Sequence, residues 1–433
     1  MDKNSPDDFG EQNEEPIITA SRKRKFPLFN LTTFNSFKNP VFRLYYVAML
    51  TQRTARNMRI ITRSYLIYHL TGSTTLLGSL ALAFAIPMVI TSLFGGAIAD
   101  RVQKKSILVI SQAASAATSL VIALSLTMGY LTSDSAWWIL MATTALGGAF
   151  SGFMMPARQA IVPEIVGTQN ISNAIALDSL STNSLRLFAP ALAGFLIDAY
   201  GFHVVYYSVT ALSIISTILV AFMPLTGKVI KGGKNVLANI KEGLRYVGRK
   251  KDILFILAFV LLAMLLTRPI QTLMPVFVDE DHLNVSAIGM GILMGVSGAG
   301  AIVGSIIIAS LPNKNRGLLL LAGGLIVGAA LIGFSFSSYW YLSIALMAIM
   351  GLGQTIRMAL GNTLVQYYVD DEYRGRVMSL YTMEFAFSSL GTFVAGALSD
   401  IVDAKWVVSS FAVILILITI SVAVFVPRVR RLD

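Results

Sequence analysis

Apolar positions in this chain come in long uninterrupted runs, and the polar positions are gathered between them. The runs cover roughly 44–70, 74–99, 106–130, 136–156, 172–199, 203–223, 252–278, 285–311, 317–336, 339–360, 376–401 and 405–426. Crossing a bilayer takes about 20 apolar residues per helix, and the chain supplies such runs almost end to end. The pattern predicts an all-α integral membrane protein with twelve transmembrane helices. Composition agrees: of 433 residues, 55% are hydrophobic and only 13% charged, at a mean hydropathy of +0.69. One soluble core of this size could not hide that much apolar surface. The first run follows a polar tail too long for the start of a signal peptide, with no small-residue cleavage pattern after it, so it reads as a retained helix.

The loops fix an orientation. With the N-terminus placed inside, about 26 Lys and Arg lie on the inner side, against Lys405 on the outer. Both termini are expected in the cytoplasm of a multi-pass cell-membrane protein, with the net charge of +11 serving topology and anionic lipid headgroups rather than nucleic acid. Residues 1–40 read as a tail, polar and disordered at first, then basic at Arg22–Lys25 and aromatic at Phe26, Phe29, Phe34 and Phe37. Residues 41–223 form a first six-helix bundle, 224–251 a linker with a basic amphipathic helix over Asn235–Arg249, 252–427 a second bundle, and 428–433 a basic tail. A chain without cysteine has no disulfide framework or thiolate metal site, and His69, His203 and His282 are scattered. No metal or cofactor is expected, and a monomer suffices.

The two bundles are related. A shift of about 203 residues lays Gln159–Val166 beside Asn362–Val369, and nearly the same shift lays Ala193–Asp198 on Ala395–Asp400. At matching positions in a six-plus-six layout, these matches indicate a parallel duplication about a pseudo-two-fold axis, the basis for alternating access.

Gly96-Ala-Ile-Ala-Asp100-Arg101-Val-Gln103-Lys104-Lys105 closes the second run. It resembles the loop 2–3 signature of the major facilitator superfamily, G-x-x-x-D-R-x-G-[RK]-[RK], with Gln103 where the pattern has glycine. Physically, Gly96 permits close helix approach and Asp100 can face the positive N-terminus of a neighbouring helix. The resemblance implies that this neighbour is the eleventh span, starting near Gly375, and that Gly96, Asp100, Arg101, Lys104 and Arg158 serve a cytoplasmic gate; the cations also read as plain topogenic charges. Arg186-Leu-Phe-Ala189-Pro190-Ala-Leu-Ala193-Gly194 resembles the G-P-x-x-G-G signature of exporter branches, with Pro190 breaking the helix ladder and Gly194 allowing close contact. An ordinary kinked packing helix is the plainer reading. Phe42–Leu44, Tyr68–Ser73 and Met155–Ala160 look like the macrolide-efflux and enterobactin-exporter branch, which implies export.

Charges inside the runs carry the candidate chemistry. Arg53, Arg56, Arg59 and Arg63 share one face of the first helix, and Arg186, Arg268 and Arg357 lie in the fifth, seventh and tenth runs. Each costs about 2.5–3.5 kcal/mol at mid-bilayer on insertion scales, so they must meet water, a carboxylate or a ligand. Asp178 and Glu384 are the only clear counter-charges within the runs. Three readings stand: Arg63 and Arg357 snorkel to opposite interfaces; Arg186 or Arg268 is locked to Asp178 or Glu384; or Arg53, Arg56, Arg59 and Arg268, with Arg186, line a cavity for an anionic substrate. Arginine does not titrate in practice, so Glu384, then Asp178, is the candidate for proton coupling. No Walker pair, serine triad or metal cluster is present, which argues against an enzyme or ATP-driven pump. The chain therefore reads as a proton-coupled secondary exporter of an amphiphilic small molecule. An organic-anion importer or exchanger, and a non-transporting scaffold or sensor, are the rivals.

Overall fold

The computed structural model describes residues 36–131, 136–167, 170–224, 236–279, 282–312, 314–430 and 432. Every element among them is helical: α1 Pro40–Thr71, α2 Thr74–Arg101, α3 Lys104–Thr127, α4 Trp137–Val166, α5 Ile171–Tyr200, α6 Phe202–Ala221, α7 Val236–Arg249, α8 Lys251–Thr267, α9 Pro269–Val278, α10 Ala287–Ser310, α11 Arg316–Ser335, α12 Trp340–Tyr368, α13 Asp371–Thr382, α14 Glu384–Ser399, α15 Ala404–Phe425 and α16 Pro427–Arg430. The basic and aromatic segment expected over 22–34 lies outside the described residues.

Among the described residues, ten segments are long and apolar enough to span a bilayer, α8 and α9 counting as one. The other two expected spans fall short for identifiable reasons. α1 carries five arginines, and the run 376–401 is divided between α13 and α14 at Met383. The seventh run is also divided, at Arg268, because Pro269 has no N–H for the helix ladder and its ring displaces the Leu265 carbonyl. That carbonyl meets α14 edge-on: a Cβ at Gly391 would lie 2.3 Å from it.

Local chemistry sets the helix ends. Asn39 caps α1 by accepting from the Val41 N–H at 2.9 Å, while its own amide donates to Ile165 O at 2.7 Å and ties the cap to α4. Gly72 ends α1 in the left-handed region, at φ 63°, where its N–H closes on Tyr68 O. Close backbone approaches hold the bundle: a Cβ at Gly148 would sit 2.1 Å from Phe84 O, joining α4 to α2. In α10 the glycines divide their work. Gly291 and Gly295 abut Pro190 and Leu187 of α5, whereas Gly300 and Gly304 abut Ala348 and Leu352 of α12.

The helices form two groups, α1–α6 and α8–α15, whose cores differ between the two ends of the molecule. At the end bearing the α1–α2 and α9–α10 connections, here the far end, one apolar core runs through both groups, from Leu66, Leu77 and Tyr206 to Phe277, Met290 and Phe411. At the opposite, Lys/Arg-rich end the cores are separate. Phe42, Tyr45, Leu108 and Ile161 belong to one, and Ile256, Leu320, Leu364 and Val377 to the other. The groups meet at the far end and part toward the basic end. Large apolar side chains such as Phe188, Ile214, Ile306 and Leu417 are exposed on the outside, as lipid contact requires.

The linker helix α7 belongs to the second group. Tyr246 stacks on Tyr373 with centroids 4.3 Å apart and also accepts from the Asp370 N–H at 3.1 Å. Arg376 pairs with Glu242 at 3.1 Å, and Lys250 with Asp370 at 3.5 Å.

Candidate functional site

The arginine face of α1 looks into a narrow, partly open crevice walled by α1, α3 and α4. Arg53, Arg56, Arg59 and Arg158 all line it, beside Ser111, Ser115 and Ser151. The four guanidiniums do not have equal surroundings. Arg53 is 2% exposed and firmly held: it forms an ion pair with Asp178, donates to the Asp178 carbonyl at 3.2 Å, and donates to the Ser181 hydroxyl. Arg158 reaches the same carboxylate at 3.6 Å. Asp178 is therefore taken up by α1 and α4, and the expected pairing of Arg186 with Asp178 is replaced by Arg53 and Arg158. This cluster sits within one group of helices and ties α5 to both.

Arg56 is different. It lies deep between the helices yet is open to the crevice, and the ionised groups acting on it are Arg158, Arg53, Arg186 and Arg59, all cations. Arg186 in turn stands within reach of Arg268 at the α8–α9 break. Arg268 is acted on by Glu384, the first residue of α14, which also acts on Arg357. A continuous series results: Asp178, Arg53, Arg56, Arg186, Arg268, Glu384, Arg357. It crosses from one helical group to the other, with carboxylates near its two ends and only guanidinium between. Coulomb repulsion along that middle stretch, in a medium poorer than water, favours an anion between the groups.

Arg357 corrects one sequence expectation. It does not snorkel to an interface. It is 0% exposed, donates to Val260 O at 3.3 Å, and contacts Met264 Sδ at 3.7 Å. Tight packing of α12 against α11 and α8 closes the route outward, so Glu384, 6% exposed, is the carboxylate that acts on it.

The remaining sequence candidates fall at the two ends. Lys104 forms an ion pair with Glu164, joining α3 to α4 within the first group. α2 runs through Gly96, Asp100 and Arg101, whose side chains lie outside the described residues. Pro190 and Gly194 sit where α5 crosses α10: a Cβ at Gly194 would be 2.2 Å from Ala287 O, and one at Gly291 would be 2.4 Å from Pro190 O. Far-end contacts between the groups were missed by sequence reasoning. Asp198 accepts from the Ala287 and Ile288 N–H groups at 3.1 and 2.9 Å, and Asp400 from Thr74 and Thr75 at 2.7 and 3.0 Å. The repeat that aligns Ala193–Asp198 with Ala395–Asp400 was the available signal. Among the described residues, no cluster of His, Asp or Glu could hold a metal.

The sequence matches a known family: the description of the Major Facilitator Superfamily fits residues 45–390. The chain belongs to this superfamily. It is a multi-pass membrane transport protein, not an enzyme. It is similar to the multidrug efflux pump Tap of Mycolicibacterium fortuitum, at 25% identity over 92% of this chain and 98% of that one. Macrolide efflux protein A of Streptococcus pyogenes is 21% identical over 78% and 84%. The enterobactin exporter EntS of Shigella boydii is 22% identical over 93% and 95%. The solved nucleoside transporter NupG superposes with a TM-score of 0.70 at 14% identity, covering 88% of this chain and 98% of that one, which shows the fold.

Proposed function

We propose that this superfamily member is a secondary active exporter of an amphiphilic anionic small molecule, working by alternating access. The observation that carries the reading is the guanidinium series through Arg56, Arg186 and Arg268, which spans both helical groups with carboxylates only near its ends. A neutral or cationic cargo would leave Arg56 and Arg186 facing one another with no carboxylate among the described residues acting on either. Relatives that are efflux pumps or siderophore exporters support the outward direction.

The basic end is cytoplasmic by the distribution of Lys and Arg, so the groups part toward the cytoplasm and the passage is loaded from inside. The apolar body of the cargo lies against Met49, Phe150 and Met154, and its anionic group against Arg56. Glu384 supplies the proton-coupling group. As an anion it compensates Arg268 and Arg357, and protonation withdraws that compensation, so the proton changes the charge that the passage presents to the cargo.

The test is a stabilisation screen on purified protein comparing catecholates, macrolides and simple organic acids. The expected hit is an anionic amphiphile whose stabilisation weakens at least about tenfold in apparent affinity in Arg56→Gln. A cationic hit insensitive to that substitution contradicts the reading.

A further inference from the structure

α1, α3 and α6 enclose a second polar region, deeper in the first helical group than the crevice. Its side chains include Gln112, Ser119, Tyr206 and Ser213, each 0% exposed. Hydrogen bonds knit its basic-end portion: the Ser216 hydroxyl lies 2.6 Å from Ala48 O and 3.1 Å from Gln112 Oε1. Two guanidiniums of α1 enter it, one turn apart. Arg59 donates to the Ser115 hydroxyl at 2.5 Å and reaches Ser119 Oγ at 3.4 Å. Arg63 lies toward the far end from it.

Two observations about this region are independent. The first concerns charge. The groups acting on Arg63 are the Tyr206 hydroxyl and Arg59, and the one acting on Arg59 is Tyr206; no carboxylate among the described residues acts on either. The second concerns hydrogen bonding. Arg63 Nε and the Tyr206 hydroxyl are buried without a partner among the described residues. Both can donate, and Arg63 Nε can do nothing else. Water would satisfy these donors and leave the two positive charges in place. An acceptor bearing negative charge satisfies both demands.

We propose that the region between α1, α3 and α6 binds a small inorganic anion of the halide class, held by Arg63 and the Tyr206 hydroxyl with Arg59 beside it. The anion is a resident counter-ion. It offsets the insertion cost of two guanidiniums and fixes the Tyr206 and Arg63 side chains. Arg59 also lines the crevice, which gives the anion a way in. The site does not require the cargo to be anionic, so it stands or falls separately from the transport reading.

The experiment uses the full chain purified in gluconate, titrated with chloride or bromide at constant ionic strength, with thermal unfolding as readout. A saturable rise in Tm is expected. Arg63→Gln and the near-isosteric Tyr206→Phe should each weaken the apparent halide affinity about tenfold or more, since each removes a donor to a charged acceptor. Arg186→Gln, which alters the passage and not this region, should keep the halide response. Crystals grown in bromide should show anomalous density between Arg63 and Tyr206. A Tm independent of halide, a halide response unchanged in both variants, or bromide density elsewhere would overturn the proposal.

Discussion

Asp198 and Asp400 occupy equivalent places at the far end, each carried near the end of a helix in one group and capping the first turn of a helix in the other. Asp198 of α5 bonds the α10 start at Ala287 and Ile288, and Asp400 after α14 bonds the α2 start at Thr74 and Thr75. The Thr74 hydroxyl adds a bond to Asp400 at 2.6 Å. A carboxylate at a helix N-terminus meets unpaired N–H groups and the positive end of the dipole. Two such contacts, related by the internal repeat, close the far end.

Removing them should open it. Replacing a capping side chain with alanine costs about 1 kcal/mol, and the two caps share no partner, so their effects should add. Asp198→Ala with Asp400→Ala should shift the far-end-open population by about twentyfold or more. Spin labels at Tyr200→Cys and Tyr339→Cys, exposed positions in opposite groups of a cysteine-free chain, measure this directly. An unchanged distance distribution contradicts the assignment.

The Asp400 cap should ignore mild acid. Burial pushes its carboxyl up, but bonds from Thr74 and Thr75 outweigh burial and hold it at about 2, below the ordinary 3.8. With the folded value depressed, the stabilisation is complete above about pH 4 and is lost as pH falls toward 2. The same label pair should therefore report no loosening from Asp400 between about pH 7 and 5. A transition centred in that window would show that another group controls the far end.

The Asp178 cluster predicts a stability change with a signature. Asp178→Asn leaves Arg53, 2% exposed, without its counter-charge. Breaking a fully buried pair costs about 3–5 kcal/mol, and the partial exposure of Asp178 brings the expectation to about 2 kcal/mol. Adding Arg53→Gln should recover part of the lost Tm, because the orphaned charge is then gone. A double variant less stable than Asp178→Asn alone would show that Arg53 contributes independently of the carboxylate.

Gly194→Ala tests the crossing of α5 and α10. The added methyl would meet backbone at 2.2 Å, which neither helix can avoid without moving apart. Overpacking of this kind costs about 1–3 kcal/mol. Gly147→Ala, with nothing within 4 Å of the new Cβ, should be neutral or mildly stabilising. Equal Tm shifts in the two variants would contradict the packing account.

The membrane class and the fold were legible because lipid imposes a long apolar period that composition cannot hide. The arginine face of α1 was legible too, since spacings of three and four residues place side chains on one side of a helix. Partners were not. Asp178 meets Arg53 and Arg158 through a crossing of α1, α4 and α5, which nothing local specifies. Arg357 looked like an interfacial residue by its position in the tenth run, but its burial depends on how α8 and α11 pack against α12. The break at Arg268 could have been read from Pro269, whereas the one at Met383 has no proline to announce it.

The most direct measurement is flux in proteoliposomes loaded with paired probes of equal size and apolar body, one anionic and one cationic, under an imposed pH gradient. Wild-type protein should move the anion and not the cation. Arg56→Gln with Arg186→Gln should abolish the preference while the protein stays folded. Glu384→Gln should leave anion exchange at equal pH but lose the response to the gradient. Preferred movement of the cation, or anion flux unchanged in the double arginine variant, would contradict a passage built on the guanidinium charge of Arg56 and Arg186.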